Sequence, residues 1–320
     1  MKALVAGVLL FCWATTAVRA AESYSDFVHH FDYDQKAPLD LREVGAETRD
    51  GVTIHDISYA SPKGGRVSAY LVLPPGKGPY AGILFGHWAK EGSPVRNRKE
   101  FLDEAVALAH AGAVSLLIDA PFARPGFHSA PEPLNSQEPL IEQQQVIDLR
   151  RGVDLLRSRS EVDPARIAYV GHSFDAALGG ILAGVERRIQ AYVLMAGTFN
   201  VAQYLHSEDP RIVALRKQVG EQQLDQYLAT WDWLDPAHYV SHTAPAAIFL
   251  QYAETDEFVP PAQRQQDIRL FRKPKTIRIY TGTDHALNAQ ARLDRYRWLR
   301  RQIRIDSKAA VFLEHVPVTQ

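Results

Sequence analysis

Three residues in the second half of the chain are of the types that covalent acyl transfer uses: Ser173, Asp256 and His285. A serine hydroxyl is a weak nucleophile at neutral pH, so it needs a base within hydrogen-bond reach and an acid that orients that base. Each candidate lies at or in the turn that follows a separate apolar run with the character of a β-strand. The residues therefore indicate a Ser-His-Asp triad and an acyl-enzyme intermediate.

The residues around Ser173 match most of a nucleophile elbow, the sharp strand-to-helix turn that exposes a serine hydroxyl. The elbow pattern is G-x-S-x-G, and the chain reads Gly171-His172-Ser173-Phe174 with Asp175 in place of the last glycine. We expect Asp175 to lie in the first helical turn, where the helix dipole favours an anion. The departure puts catalytic efficiency and substrate range in question more than the fold.

The elements that must position these residues alternate along the chain. Residues 51–59 and 66–73 alternate apolar and polar positions around a Gly-rich turn, which predicts an antiparallel hairpin. Further strands are predicted at 80–85, 113–119, 167–170, 191–195, 246–252 and 276–280, with helices at 99–111, 140–159, 261–271 and 288–305. This order predicts an α/β fold, with a mainly parallel twisted sheet and helices on both faces. All three candidate residues then reach the same edge of the sheet.

Two segments interrupt the alternation, at 121–139 and at 199–242. Both follow carboxyl ends of predicted strands, and we expect the second to be a small helical cap insert. Residues 1–20 have the pattern of a removed signal peptide, with an uncleaved N-terminal anchor as the alternative: Lys2, an apolar run, and the small residues of Ala17–Ala20. The only cysteine, Cys12, lies inside that segment, so cysteine-based metal sites and disulfides are not expected in the remainder. We predict a single domain over residues 21–320.

The chain resembles the α/β-hydrolase superfamily, most closely its dienelactone-hydrolase-like and acetyl-esterase-like branch, over about residues 51–305. The resemblance rests on the hairpin and on four motifs: Gly86-His87-Trp88, Gly171-His172-Ser173-Phe174, Thr255-Asp256-Glu257-Phe258-Val259-Pro260 and Gly282-Thr283-Asp284-His285-Ala286. It implies that Ser173 is the nucleophile, His285 the general base and acid, and Asp256 the orienting acid. It also implies that no cofactor and no metal are needed.

Some roles have rivals. Glu254 and Glu257 flank Asp256 and are alternative acids. An acyl-transfer oxyanion needs preorganised N–H donors, for which we expect the backbone N–H groups of Phe174 and Trp88. Seven aromatic side chains are candidates for an apolar acyl pocket or for plain core: Trp88, Phe122, Phe127, Phe174, Phe199, Trp231 and Trp233.

These observations predict an exported serine hydrolase, periplasmic or secreted, that acts on small-molecule carboxylic esters. A serine peptidase of the same fold and a non-catalytic binding protein are the alternatives. The net charge of −1 and the lack of a long basic run give no case for nucleic-acid binding. No stable membrane insertion is expected once the signal is removed.

Overall fold

One mixed sheet runs through the molecule. The computed structural model describes residues 23–130 and 132–317, so the predicted signal at 1–20 lies outside the described residues. The strands are β1 (Arg42–Arg49), β2 (Val52–Ala60), β3 (Arg66–Leu73), β4 (Tyr80–Gly86), β5 (Ala113–Ile118), β6 (Val162–His172), β7 (Ala191–Met195), β8 (Ala247–Ala253) and β9 (Thr276–Tyr280). Their spatial order is β1-β2-β3-β5-β4-β6-β7-β8-β9. Strands β1, β2, β3 and β5 pair antiparallel, and the sheet is parallel from β5 to β9.

Helices cover both faces of this sheet. They are α1 (Tyr24–His29), α2 (Leu102–Ala109), α3 (Gln137–Ser158), α4 (Phe174–Val185), α5 (Val201–Leu205), α6 (Pro210–Val219), α7 (Glu221–Trp231), α8 (Pro261–Leu270), α9 (Ala289–Ile303) and α10 (Ala309–Leu313). Successive strand residues point to opposite faces, and Tyr169 and Val170 of β6 accordingly belong to two different core clusters. One cluster includes residues of α1, α3 and α4, and the other includes residues of α2, α9 and α10.

The predicted hairpin and the alternating strands and helices are confirmed, with element ends shifted by a few residues. The sequence prediction missed β1, which lies at the edge of the sheet. Seven of its eight residues are exposed and the eighth is half-buried. Because neither face of β1 is buried, its sequence lacks the apolar alternation from which a strand is predicted.

The segment at 199–242 is helical, as predicted. It contains α5, α6 and α7, followed by short 3₁₀ turns at Asp232–Leu234, Pro236–His238 and Val240–His242. Leu205, Ile212 and Leu224 form a small apolar cluster of their own, and Leu134 from the 121–139 segment packs against it. The two inserted segments therefore meet on the side of the sheet where the parallel strands end.

Candidate active site

The turn that carries Ser173 joins β6 to α4. Ser173 has φ 53° and ψ −108°, a backbone conformation that side-chain-bearing residues rarely adopt. Its N–H donates to the carbonyl oxygen of Met195 at 2.8 Å, which ties the turn to β7. A Cβ atom at Gly171 would collide with the carbonyl oxygen of Asp175 and lie 2.7 Å from the Tyr169 ring, so this glycine permits the tight return of the chain. The half-buried Ser173 side chain is thereby held at the end of the strand.

The structure brings Ser173, His285 and Asp256 together. His285 Nε2 lies 2.7 Å from Ser173 Oγ, and His285 Nδ1 lies 2.9 Å from each carboxylate oxygen of Asp256. A carboxylate only accepts, so Nδ1 carries the ring proton and Nε2 is left to accept the proton of the serine hydroxyl. The line of hydrogen bonds runs from acid to base to hydroxyl, as general-base activation of a serine requires.

The carboxyl of Asp256 is held in its ionised form. Burial alone would raise its pKa, but the hydrogen bond and charge of His285 outweigh that effect, and the net pKa is lowered. The N–H groups of Phe258 and Val259 add hydrogen bonds to Oδ1 at 2.8 and 3.1 Å. Glu254 and Glu257, the alternative candidates for the acid, are exposed to solvent. Asp256 is the carboxylate that hydrogen-bonds to the His285 imidazole.

The two N–H groups expected to hold an oxyanion differ in their surroundings. Phe174 is the first residue of α4, where no earlier helical carbonyl is available to its N–H. The N–H of Trp88 instead donates to Glu100 Oε2 at 2.7 Å. That contact corrects the prediction for Trp88, because an N–H already bonded to a buried carboxylate is not open to a substrate oxygen.

His87, beside Trp88, is a buried neutral imidazole. Its Nδ1 lies 2.7 Å from the carbonyl oxygen of Trp88, and its Nε2 accepts the N–H of Ala120 at 3.0 Å. Because a carbonyl only accepts and an N–H only donates, the two contacts fix the tautomer with the proton on Nδ1. Burial lowers the pKa of His87 to about 4. His87 therefore fixes the loop after β4 and does not act as a base.

Comparisons with known proteins agree with this architecture. An acetyl xylan esterase from Paenibacillus sp. R4 superposes with a TM-score of 0.68 at 19% identity, over 87% of this chain and 93% of that one. Acetyl xylan esterase 1 from Thermoanaerobacterium sp. JW/SL YS485 gives 0.70 at 11% identity, with the same two coverages. An α/β hydrolase from Penicillium sp. sh18 gives 0.57 at 15% identity, over 78% of this chain and 98% of that one. The chain has the α/β-hydrolase fold. No family model matches its sequence, and no curated protein matches it in a sequence search.

Asp175 is where this chain departs from the elbow pattern. Its side chain is fully buried, and the amide Nε2 of Gln145 donates to its two oxygens at 3.0 and 3.1 Å. Burial raises the pKa of Asp175 to about 8, and the charge of Glu100 acts in the same direction. Asp175 does lie in the first turn of α4, as expected, but its burial favours the neutral acid over the anion.

Some of the seven aromatic candidates for the acyl pocket lie beside Ser173, and others are packed in the core. Phe122 and Phe174 are half-buried, and their rings meet edge to face at 5.1 Å beside the nucleophile turn. Trp88 is fully buried and stacks on His172 at 5.1 Å, and the buried Phe199 packs edge to face against Phe271. Trp231 and Trp233 contact each other, and Trp233 also packs on His30 and Phe31. Phe127 is half-buried in the 121–139 segment.

Sequence reasoning missed three residues around the candidate site: Phe258, Arg211 and Glu100. The ring of Phe258 lies 4.7 Å from the ring of His285, and the guanidinium of Arg211 from the helical insert lies 5.3 Å from the Phe258 ring. Glu100 reaches both Trp88 and His172. Phe258 is only two positions from Asp256 and belongs to the same motif, whereas nothing in the sequence around Glu100 distinguishes it from a surface glutamate.

Neither a membrane-spanning helix nor a metal cluster is found in the described part of the chain. Within residues 23–130 and 132–317, no helix combines the length and the apolar character that crossing a bilayer requires. The same residues contain no group of three or more His, Cys, Asp or Glu side chains placed to hold a metal ion.

Proposed function

We propose that this α/β hydrolase is a serine esterase that cleaves carboxylic esters through an acyl-enzyme intermediate. The observation that supports this most strongly is the unbroken line of hydrogen bonds from Asp256 through His285 to Ser173. The backbone of Ser173, at φ 53°, is a second support, because strained conformations cluster at active sites.

In the proposed reaction, Ser173 Oγ attacks the ester carbonyl carbon while His285 Nε2 takes the hydroxyl proton. Asp256 stabilises the imidazolium that forms and keeps the ring in the productive orientation. The Phe174 N–H donates to the oxyanion. His285 then gives its proton to the leaving alcohol, and an attacking water, activated by the same nitrogen, releases the acid and regenerates the serine.

Short acyl esters are the substrates that we propose first. The half-buried rings of Phe122 and Phe174 next to the serine form one wall suited to a small apolar acyl group. Two of the similar structures are acetyl xylan esterases, so acetylated carbohydrate is the natural polymeric substrate to include.

The test is hydrolysis of p-nitrophenyl acetate and butyrate, and of acetylated xylan, by the wild-type protein and by Ser173→Ala. Ser160→Ala, at an exposed serine, is the matched control. We expect turnover by the wild type and the control, and its loss in Ser173→Ala with an unchanged circular dichroism spectrum. Near-normal turnover by Ser173→Ala would overturn the proposal.

A second candidate is a protein that binds a ligand on this fold without turning it over. The occupied Trp88 N–H favours it, because one of the two expected oxyanion donors is already bonded to Glu100. Such a protein would stay folded and unreactive towards every ester and every serine-directed probe tried. Ester turnover that depends on Ser173 would exclude it.

We also propose that residues 1–20 act as an export signal, on the sequence pattern alone. The full chain expressed in a Gram-negative host should then appear in the periplasm or medium with an intact mass that lacks residues 1–20. Recovery of the uncleaved chain from the cytoplasm would contradict this part of the proposal.

A further inference from the structure

A buried carboxyl–imidazole pair lies directly behind the triad. Glu100 Oε1 and His172 Nδ1 are 2.5 Å apart, and the two side chains are 2% and 1% exposed. Glu100 precedes α2, and His172 is the last residue of β6, immediately before Ser173. Neither residue contacts Ser173 Oγ or takes part in the proton transfers described above, so the reaction itself leaves the pair unexplained.

Each member of the pair also holds the backbone of a loop at the site. Glu100 Oε2 accepts the N–H of Trp88 at 2.7 Å, and His172 Nε2 lies 2.9 Å from the carbonyl oxygen of His285. A carbonyl only accepts, so His172 Nε2 must carry a proton and donate it. One line of hydrogen bonds thus crosses from the loop after β4, past the nucleophile turn, to the loop that carries the base.

The pair presents no net charge to His285. With a proton fixed on His172 Nε2, one further proton is shared between Nδ1 and the Glu100 carboxyl, and the sum of charges is zero wherever it resides. The rings of Trp88, Phe101 and His285 pack around His172 at 5.1, 6.5 and 5.3 Å. A buried imidazolium without its carboxylate in this position would oppose the positive charge that His285 acquires when it takes the serine proton.

We propose that Glu100 and His172 are positioning residues that hold the His285 loop and the Trp88 loop in register with Ser173, acting through hydrogen bonds rather than through charge. The inference rests on the proposed esterase function. A misplacement of about 1 Å at a catalytic group can lower the rate by about 10²-fold, and the His285 carbonyl is in the same residue as the catalytic base.

The test compares two substitutions of similar size, Glu100→Gln and Glu100→Met, with p-nitrophenyl acetate as substrate. Glutamine is uncharged and keeps both hydrogen bonds of Glu100: its oxygen accepts the Trp88 N–H, and its amide N–H donates to His172 Nδ1. Methionine fills the same space and makes neither bond. We expect Glu100→Gln to keep kcat within about 3-fold of wild type, and Glu100→Met to lower kcat by about 10- to 100-fold with KM little changed.

Equal kcat values for Glu100→Met and wild type would overturn the inference, as would a loss in Glu100→Gln as large as that in Glu100→Met. If Glu100→Met does not fold, the test uses His172→Phe in the Glu100→Gln background instead. This double variant retains a flat ring at position 172, but it makes no hydrogen bond to His285 and carries no buried charge. Lowered kcat there supports the inference, and unchanged kcat refutes it. An inactive wild type with an unlabelled Ser173 would instead refute the esterase function itself.

Discussion

Gly86 and Asp175 are complementary in shape: the missing side chain of one makes room for the side chain of the other. A Cβ atom at Gly86 would lie 2.6 Å from Asp175 Cβ and 2.7 Å from Asp175 Oδ2. The elbow pattern places a glycine on the helix to allow close packing. In this protein the helix carries the larger residue, and the glycine lies on the end of β4.

Gly86→Ala should therefore destabilise the protein by about 1–3 kcal/mol, the usual cost of overpacking. The cost should disappear in an Asp175→Gly background, where the opposing Cβ is absent. Asp175→Ala is the matched control, because it retains the Cβ atom and should retain the clash. Urea unfolding midpoints of the single and double variants measure the coupling, and additive effects of Gly86→Ala and Asp175→Gly would contradict the packing argument.

The buried Asp175 should make stability fall as pH rises. Its folded pKa of about 8 lies above the ordinary value of 3.8, so between these pH values the folded state binds the proton more tightly than the unfolded state does. By linkage the free energy of unfolding then decreases with pH, by at most about 1.4 kcal/mol per pH unit.

Asp175→Asn keeps the shape and still accepts from Gln145, but it cannot ionise. We expect its stability relative to wild type to rise steadily between about pH 4 and about pH 8, because only the wild type loses stability over that range. Guanidinium unfolding across that range measures the difference. A difference between the two proteins that does not change with pH would mean that Asp175 does not take up a proton on folding.

The acid of the site can be assigned by comparing Asp256→Asn with Glu254→Gln. The amide at 256 can no longer select the tautomer in which His285 Nε2 accepts the serine proton, so we expect kcat to fall by about 10³- to 10⁴-fold. Glu254 is exposed, and its substitution should leave kcat within about 3-fold of wild type. A larger loss in Glu254→Gln than in Asp256→Asn would reverse the assignment.

Phe122 should limit the length of the acyl group. Its ring packs against Phe174 beside the nucleophile, so Phe122→Ala enlarges the proposed acyl wall. We expect the ratio of kcat/KM for p-nitrophenyl hexanoate to that for the acetate to rise by about 10-fold. Phe312→Ala, at a 40% exposed ring on α10, is the control and should not change the ratio. An unchanged ratio in Phe122→Ala would place the acyl group elsewhere.

The fold and the meeting of the three candidate residues were predictable from the sequence because both depend on local patterns. Apolar runs of strand length precede the turns that carry Ser173, Asp256 and His285 and predict parallel strands, and the carboxyl ends of such strands share one edge. The assignment of catalytic roles to these residues stays a prediction until activity is measured, as do the export signal and the ester substrate.

The surroundings of Trp88 and Asp175 were not predictable, because each depends on a residue distant in the chain. The side chain of Glu100, 12 positions after Trp88, accepts the hydrogen bond from the Trp88 N–H. The neutral state of Asp175 results from burial under α3 with Gln145, 30 positions earlier. Neither partner belongs to a recognisable motif, and only the packed structure shows which polar group meets which.

The central claim is that Ser173 is an activated nucleophile, and a fluorophosphonate probe tests it most directly because the probe needs no knowledge of the substrate. The protein, freed of residues 1–20, would be labelled beside Ser173→Ala and Ser160→Ala, and the modified peptide identified by mass spectrometry. We expect stoichiometric labelling on Ser173 in the wild type and in Ser160→Ala, and none in Ser173→Ala. A folded wild-type protein that resists the probe, or labelling at another residue, would contradict the claim.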